Sequence, residues 1–73
     1  MNLRERKALA YQVATRVWGK QPAPARLGKA RRMIESLIDD DELVMGIPGI
    51  TAKAHKAIIY DEAVRRLTQE VSK

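Results

Sequence analysis

Few side chains in this sequence could do covalent chemistry, and each is isolated from the partners such chemistry needs. His55 is the only histidine. As a general base it would need a group to orient it and a nucleophile within hydrogen-bond reach, and no second histidine supplies a relay or a second metal ligand. Ser36 falls inside a helical pattern with no histidine near it in sequence, which suits a small residue on a helix surface. There is no cysteine, so thiolate catalysis, cysteine-ligated zinc and disulfides are excluded. The run Asp39-Asp40-Asp41-Glu42 carries enough carboxylate for a divalent cation. It lacks the alternating oxygens, the glycine and the closing glutamate of a calcium loop, and contiguous acids point around a helix instead of converging. No catalytic triad, glycine-rich phosphate loop or metal-ligand spacing is present. The residues therefore point to a protein without enzymatic activity, and neither cofactor nor metal is expected.

Binding chemistry is better represented. The chain has 73 residues and a net charge of +5, and its charges are segregated. Up to Arg32 there are nine basic residues, Arg4, Arg6, Lys7, Arg16, Lys20, Arg26, Lys29, Arg31 and Arg32, against the single acid Glu5. From Met33 to Ile50 there are five acids and no base, and from Thr51 onward five bases face three acids. The basic block reads either as a solvated face or as a surface for an acidic partner. The nominated contacts are Arg4, Arg6, Lys7, Tyr11, Arg16, Lys20, Arg26, Arg31 and Arg32. Asp39, Asp40, Asp41 and Glu42 form a second patch of opposite sign, or a capped and solvated corner. Clustered acids repel a phosphate backbone within a Debye length, so the bipolar layout suits a protein partner at least as well as nucleic acid.

These residues must be positioned by helices. Asn2 with Glu5 three residues on makes a capping-box variant, and Leu9, Ala10, Val13, Ala14, Val17 and Trp18 form a stripe that Gly19 ends, which predicts a helix over 3–18. The Gln21-Pro-Ala-Pro-Ala25 stretch is a stiff connector, with Pro24 acceptable in the first turn of the next helix. Leu27, Ala30, Ile34, Leu37 and Ile38 share one face, so a second helix should run from about Ala25 to Asp39 or Asp40, with Gly28 its one weak position. Glu42 to Met45 reads as a further short turn, broken by Gly46-Ile-Pro-Gly49. Thr51 is an N-cap for a last helix over 52–71, with Ile59, Tyr60, Ala63, Val64, Leu67 and Val71 as its inner face. The expected fold is all-α, a single small bundle of three main helices plus one short helical turn. Trp18 reads as a core anchor at the first connector. Tyr60, Val64, Leu67 and Val71 have a coiled-coil-like spacing that is more simply a core face, so a monomer is expected.

A helix-turn-helix is the obvious reading of a small basic helical chain, but none of its registers fits. A turn at Gly46 puts Asp41 and Glu42 where small or apolar residues belong, a turn at Gly49 follows Pro48 directly, and a turn at Gly19 places both prolines between the helices. No apolar run approaches the roughly 20 residues of a membrane span, and no signal-like segment follows the charged N-terminus, so a cytoplasmic protein without membrane contact is expected.

Taken together, the basic opening MNLRERKALAYQVATRVWG, the QPAPA connector and the acidic DDDEL corner resemble a family of small, basic, helical transcription regulators by which lytic bacteriophages take over host RNA polymerase. The resemblance covers the whole chain and carries no residue-by-residue motif. It implies a non-enzymatic protein in the host cytoplasm that binds the large subunits of bacterial RNA polymerase. Such a protein interferes with the hold of sigma factor on the core enzyme, inhibits initiation and favours antitermination. The alternative is direct DNA binding by a phage-type repressor or excision factor, with a steep salt dependence from counterion release.

Overall fold

The structure, a computed structural model, describes residues 2–39 and 51–72. These form three helices, α1 (Leu3–Trp18), α2 (Pro24–Ile38) and α3 (Ala52–Val71), with no strand among the described residues. The fold is all-α. The expected short turn over 42–45 lies outside the described residues, as do the candidate turn glycines Gly46 and Gly49.

Helices α1 and α3 begin where a side chain satisfies one of their exposed amide groups. Asn2 Oδ1 accepts from the Glu5 backbone N–H at 2.8 Å, and Thr51 Oγ1 accepts from Ala54 N–H at 3.1 Å. The forward half of the capping box is therefore present in α1, while the Glu5 carboxylate goes to Lys56 of α3 at 3.0 Å. The α2 start differs from the expected Ala25. Proline occupies the first helical position, where its fixed φ is already helical and its missing N–H is not needed, so the helix opens one residue earlier. Its end also falls earlier, because Asp39 is the C-cap and not a helical residue.

Between α1 and α2 the chain turns within five residues, Gly19 to Ala23. Gly19 closes α1 through its N–H to Thr15 C=O at 2.9 Å and then adopts φ 91° and ψ −177°, a conformation that a Cβ would strain. Gln21 takes a left-handed φ of 55°. Only Pro22 thus lies between the helices, not both prolines, yet positive φ at both Gly19 and Gln21 makes this connector unlike a short helix-turn-helix turn.

The core is aliphatic. Leu9, Ala10, Val13 and Ala14 of α1 meet Ala30, Ile34 and Leu37 of α2 and Ile59, Ala63 and Leu67 of α3. Alanine at four of these ten positions lets the helix axes approach, so the larger aliphatic side chains fill the centre. Val17, Trp18, Leu27, Met33, Ile38, Tyr60 and Val64 close the periphery. Val71 was expected on this inner face but is 53% exposed, because it falls in the last turn of α3, beyond the reach of the core. The ion pair Lys29–Glu70 at 2.8 Å ties the first half of α2 to the end of α3, and Lys56–Glu5 ties the starts of α3 and α1. Helix α3 therefore runs alongside α1 and opposite to α2.

Candidate functional site

Two open grooves flank α1, and their charges separate them. The larger, about 410 Å³, lies between α1 and α3 and is rimmed by Arg4, Glu5, Lys56 and Asp61. Its rim carries both signs in equal number, and Glu5 and Lys56 already neutralise each other across it. The second, about 300 Å³, lies between α1 and α2 and is lined by Lys7, Ala10, Tyr11, Leu27, Gly28 and Arg31. Every ionisable rim group there other than the Tyr11 phenol is a cation.

Helix geometry builds the second groove. Lys7 and Tyr11 stand one turn apart on α1, and Leu27, Gly28 and Arg31 stand within one turn on α2. Ala10 and Leu27 come up from the core side as its floor, since Ala10 is buried and Leu27 half-buried against the core. Tyr11 stands over this floor at 49% exposure, one of the few large apolar side chains given to solvent. Arg32 reaches back along α2 so that its Nη1 lies 3.5 Å from where a Gly28 Cβ would be, which adds a third guanidinium or ammonium group beside the groove. Among the described residues neither Lys7 nor Arg32 has an ion-pair partner, and Arg31 has only a long contact of 3.6 Å to Glu35.

The nine nominated residues are therefore divided by the fold. Lys7, Tyr11, Arg31 and Arg32 converge on the α1/α2 groove. Arg4 lines the other groove. Arg6, expected as a contact beside Arg4 and Lys7, is half-buried and engaged within the chain, because one residue along a helix is a rotation of about 100°. Arg26 lies over the Trp18 ring, 5.7 Å from its centroid, beside the first connector and away from the groove lining. Lys20 is exposed in that connector and Arg16 near the end of α1, away from the groove lining. Of the acidic patch, Asp39 is the exposed cap of α2, and Asp40, Asp41 and Glu42 lie outside the described residues.

The remaining titratable groups serve the helices. Glu62 accepts from Arg65 and from Arg66 Nε at 2.8 Å, and these two guanidinium groups hold its carboxyl down from 4.5 to about 2. His55 is half-buried in the first turns of α3. Its backbone N–H reaches Thr51 C=O at 2.9 Å, and its ring Nε2 is covered with no hydrogen-bond partner among the described residues. Among the described residues no group of histidines and carboxylates could hold a metal ion, and no helix is long and apolar enough to cross a membrane.

Sequence reasoning found the cations and Tyr11 but not Leu27 and Gly28 as their companions. Leu27 was legible only as a core position and Gly28 only as a weak point in a helix. The described residues thus form three helices with a cation-rimmed groove of apolar floor between α1 and α2. No protein-family model, curated protein or solved structure matches the chain.

Proposed function

We propose that this protein is a non-enzymatic transcription regulator that binds the large subunits of bacterial RNA polymerase in the host cytoplasm, inhibits initiation by interfering with sigma factor, and promotes antitermination. The resemblance of the sequence to phage-encoded regulators supplies the partner. The observation that carries the binding mode is the groove that Lys7, Tyr11 and Arg31 line together over an apolar floor, with Arg32 beside Gly28 at its edge. A phosphate backbone asks for cations but not for a half-exposed aromatic ring over aliphatic carbon, whereas an acidic protein surface with apolar anchors asks for both. Sigma is held by a composite interface, so a small competitor on part of that surface needs only about 1.4 kcal/mol of differential binding to change occupancy tenfold.

Immobilised core RNA polymerase tests this with purified protein. The wild type should bind and be displaced by excess sigma, and the pair Lys7→Glu and Arg31→Glu should lose binding with an unchanged helical circular dichroism spectrum. Full binding by that double variant would refute the site. Retardation of duplex DNA with a steep salt dependence, and no retention on polymerase, would refute the protein-partner reading in favour of the DNA-binding one.

A further inference from the structure

Gly28 is a residue that the fold does not ask for. It lies in the second turn of α2, its φ is not positive, and a methyl group on its Cα would meet only the flexible tip of Arg32, at ordinary van der Waals distance. A glycine inside a helix lowers stability relative to alanine because more backbone freedom is lost on folding. Neither backbone geometry nor internal packing returns anything for that loss. Gly28 instead lines the α1/α2 groove, between Leu27 and Arg31 and opposite Ala10 and Tyr11, and only the movable tip of Arg32 lies where its side chain would stand.

We infer that this groove seats a short acidic segment of a protein partner, with one aliphatic side chain of that segment lowered onto Gly28, and that Gly28 determines which segments fit. The inference rests on the polymerase reading for the identity of the partner and deepens it in the chemistry. The aliphatic anchor lies on Ala10, Leu27 and the bare Gly28 backbone, against the Tyr11 ring. Carboxylates on one side of the anchor meet Lys7, and those on the other meet Arg31 and Arg32. A neutral segment would leave Lys7 and Arg32, which have no ion-pair partner among the described residues, beside a dry contact, and a basic one would be repelled. Residues one turn apart on both walls match a ligand that itself presents side chains one turn apart, the helix-in-groove mode.

The experiment uses a fluorescent peptide of three Glu-Glu-Leu-Leu repeats, the same peptide with Lys for every Glu, a short DNA duplex, and the variants Gly28→Ala and Gly28→Leu. The acidic peptide should bind the wild type and shift the backbone amide resonances of Tyr11, Gly28 and Arg31, and the basic peptide should not. Gly28→Leu should weaken binding at least about tenfold, the scale of a blocked hot-spot pocket, and Gly28→Ala by less. Gly28→Ala keeps the helix intact, so its loss of affinity cannot come from unfolding. Any of four results overturns the inference: no binding of the acidic peptide, unchanged affinity in Gly28→Leu, the same amides shifting with duplex DNA in place of peptide, or their shifting with protein concentration alone, which would seat a second copy there. The two readings fail separately. Peptide binding without polymerase retention removes only the polymerase, and polymerase retained equally by Gly28→Leu removes only the groove.

Discussion

Alanine at Gly28 and alanine at Gly19 should change the stability of this protein in opposite directions. Both glycines have room for a methyl group: Gly19 has nothing within 4 Å of a built Cβ, and Gly28 has only Arg32 Nη1 at 3.5 Å. The difference is the backbone. At Gly28 the helix is already formed, and alanine removes a propensity deficit of about 1 kcal/mol with no steric charge against it. At Gly19, φ of 91° with ψ near −177° lies in a region that only glycine occupies freely, so alanine costs about 1–3 kcal/mol there. The unfolding entropy of a domain this size is about 0.15 kcal/mol/K at the midpoint, so Gly28→Ala should raise Tm by about 6 °C and Gly19→Ala should lower it by roughly 6–20 °C. Far-ultraviolet circular dichroism through a thermal melt reads both, and a urea titration with unchanged slope confirms that stability has changed and not the surface exposed on unfolding. A Gly28→Ala variant that melts at or below the wild-type temperature would refute the reasoning, since it would show that the fold itself requires glycine at that place. It would also remove the ground for assigning Gly28 to a partner.

Two further outcomes follow from the core and from the charges. Ile34 is fully buried between the three helices, so Ile34→Ala should cost about 2–5 kcal/mol, comparable with the whole stability of a domain this small. Its urea midpoint should fall close to zero, and a loss under about 1 kcal/mol would mean that the core collapses around the gap. The Glu62 carboxyl is held near 2 against an ordinary 4.5, so the stabilisation it contributes is complete above pH 4.5 and is lost as pH falls toward 2. Because Arg65 and Arg66 are 56% and 40% exposed, the contribution is no more than about 1 kcal/mol. Melting temperatures across that pH window should fall less steeply for Glu62→Gln than for the wild type, and parallel curves would exclude the two arginines as the cause.

The helix ends were legible because capping is local chemistry. Asn2 with Glu5, Gly19 and Thr51 each act within three or four residues of themselves; α1 begins and ends, and α3 begins, where those residues place them. The core faces of α1 and α2 were equally legible from their spacing. The α2 start lies one residue before the expected Ala25 because Pro24 itself takes the first helical position, which the apolar spacing from Leu27 onward does not report. Val71 continues the spacing of Leu67, but spacing does not say where the neighbouring helices stop. The groove was half legible. Charge counting nominated Lys7 and Arg31 without pairing them, since they are neighbours only through the crossing of α1 and α2. The same counting treated Arg6 and Lys7 alike, although one faces inward and the other outward. Gly28 carries no signal of its own except a penalty, and its meaning depends on what lies across from it.

Trp18 is the only tryptophan in the chain, and its ring rests under Arg26 where α1 gives way to α2. The protein therefore contains its own optical gauge, placed at the junction of two helices and two helical turns from Tyr11. Separation of α1 from α2 strips the guanidinium from the indole and wets it, so emission follows opening of the bundle. Filling of the groove near Tyr11 leaves that environment in place. Indole emission would thus report loss of structure, and the Tyr11 ring resonances the arrival of a ligand, through different residues.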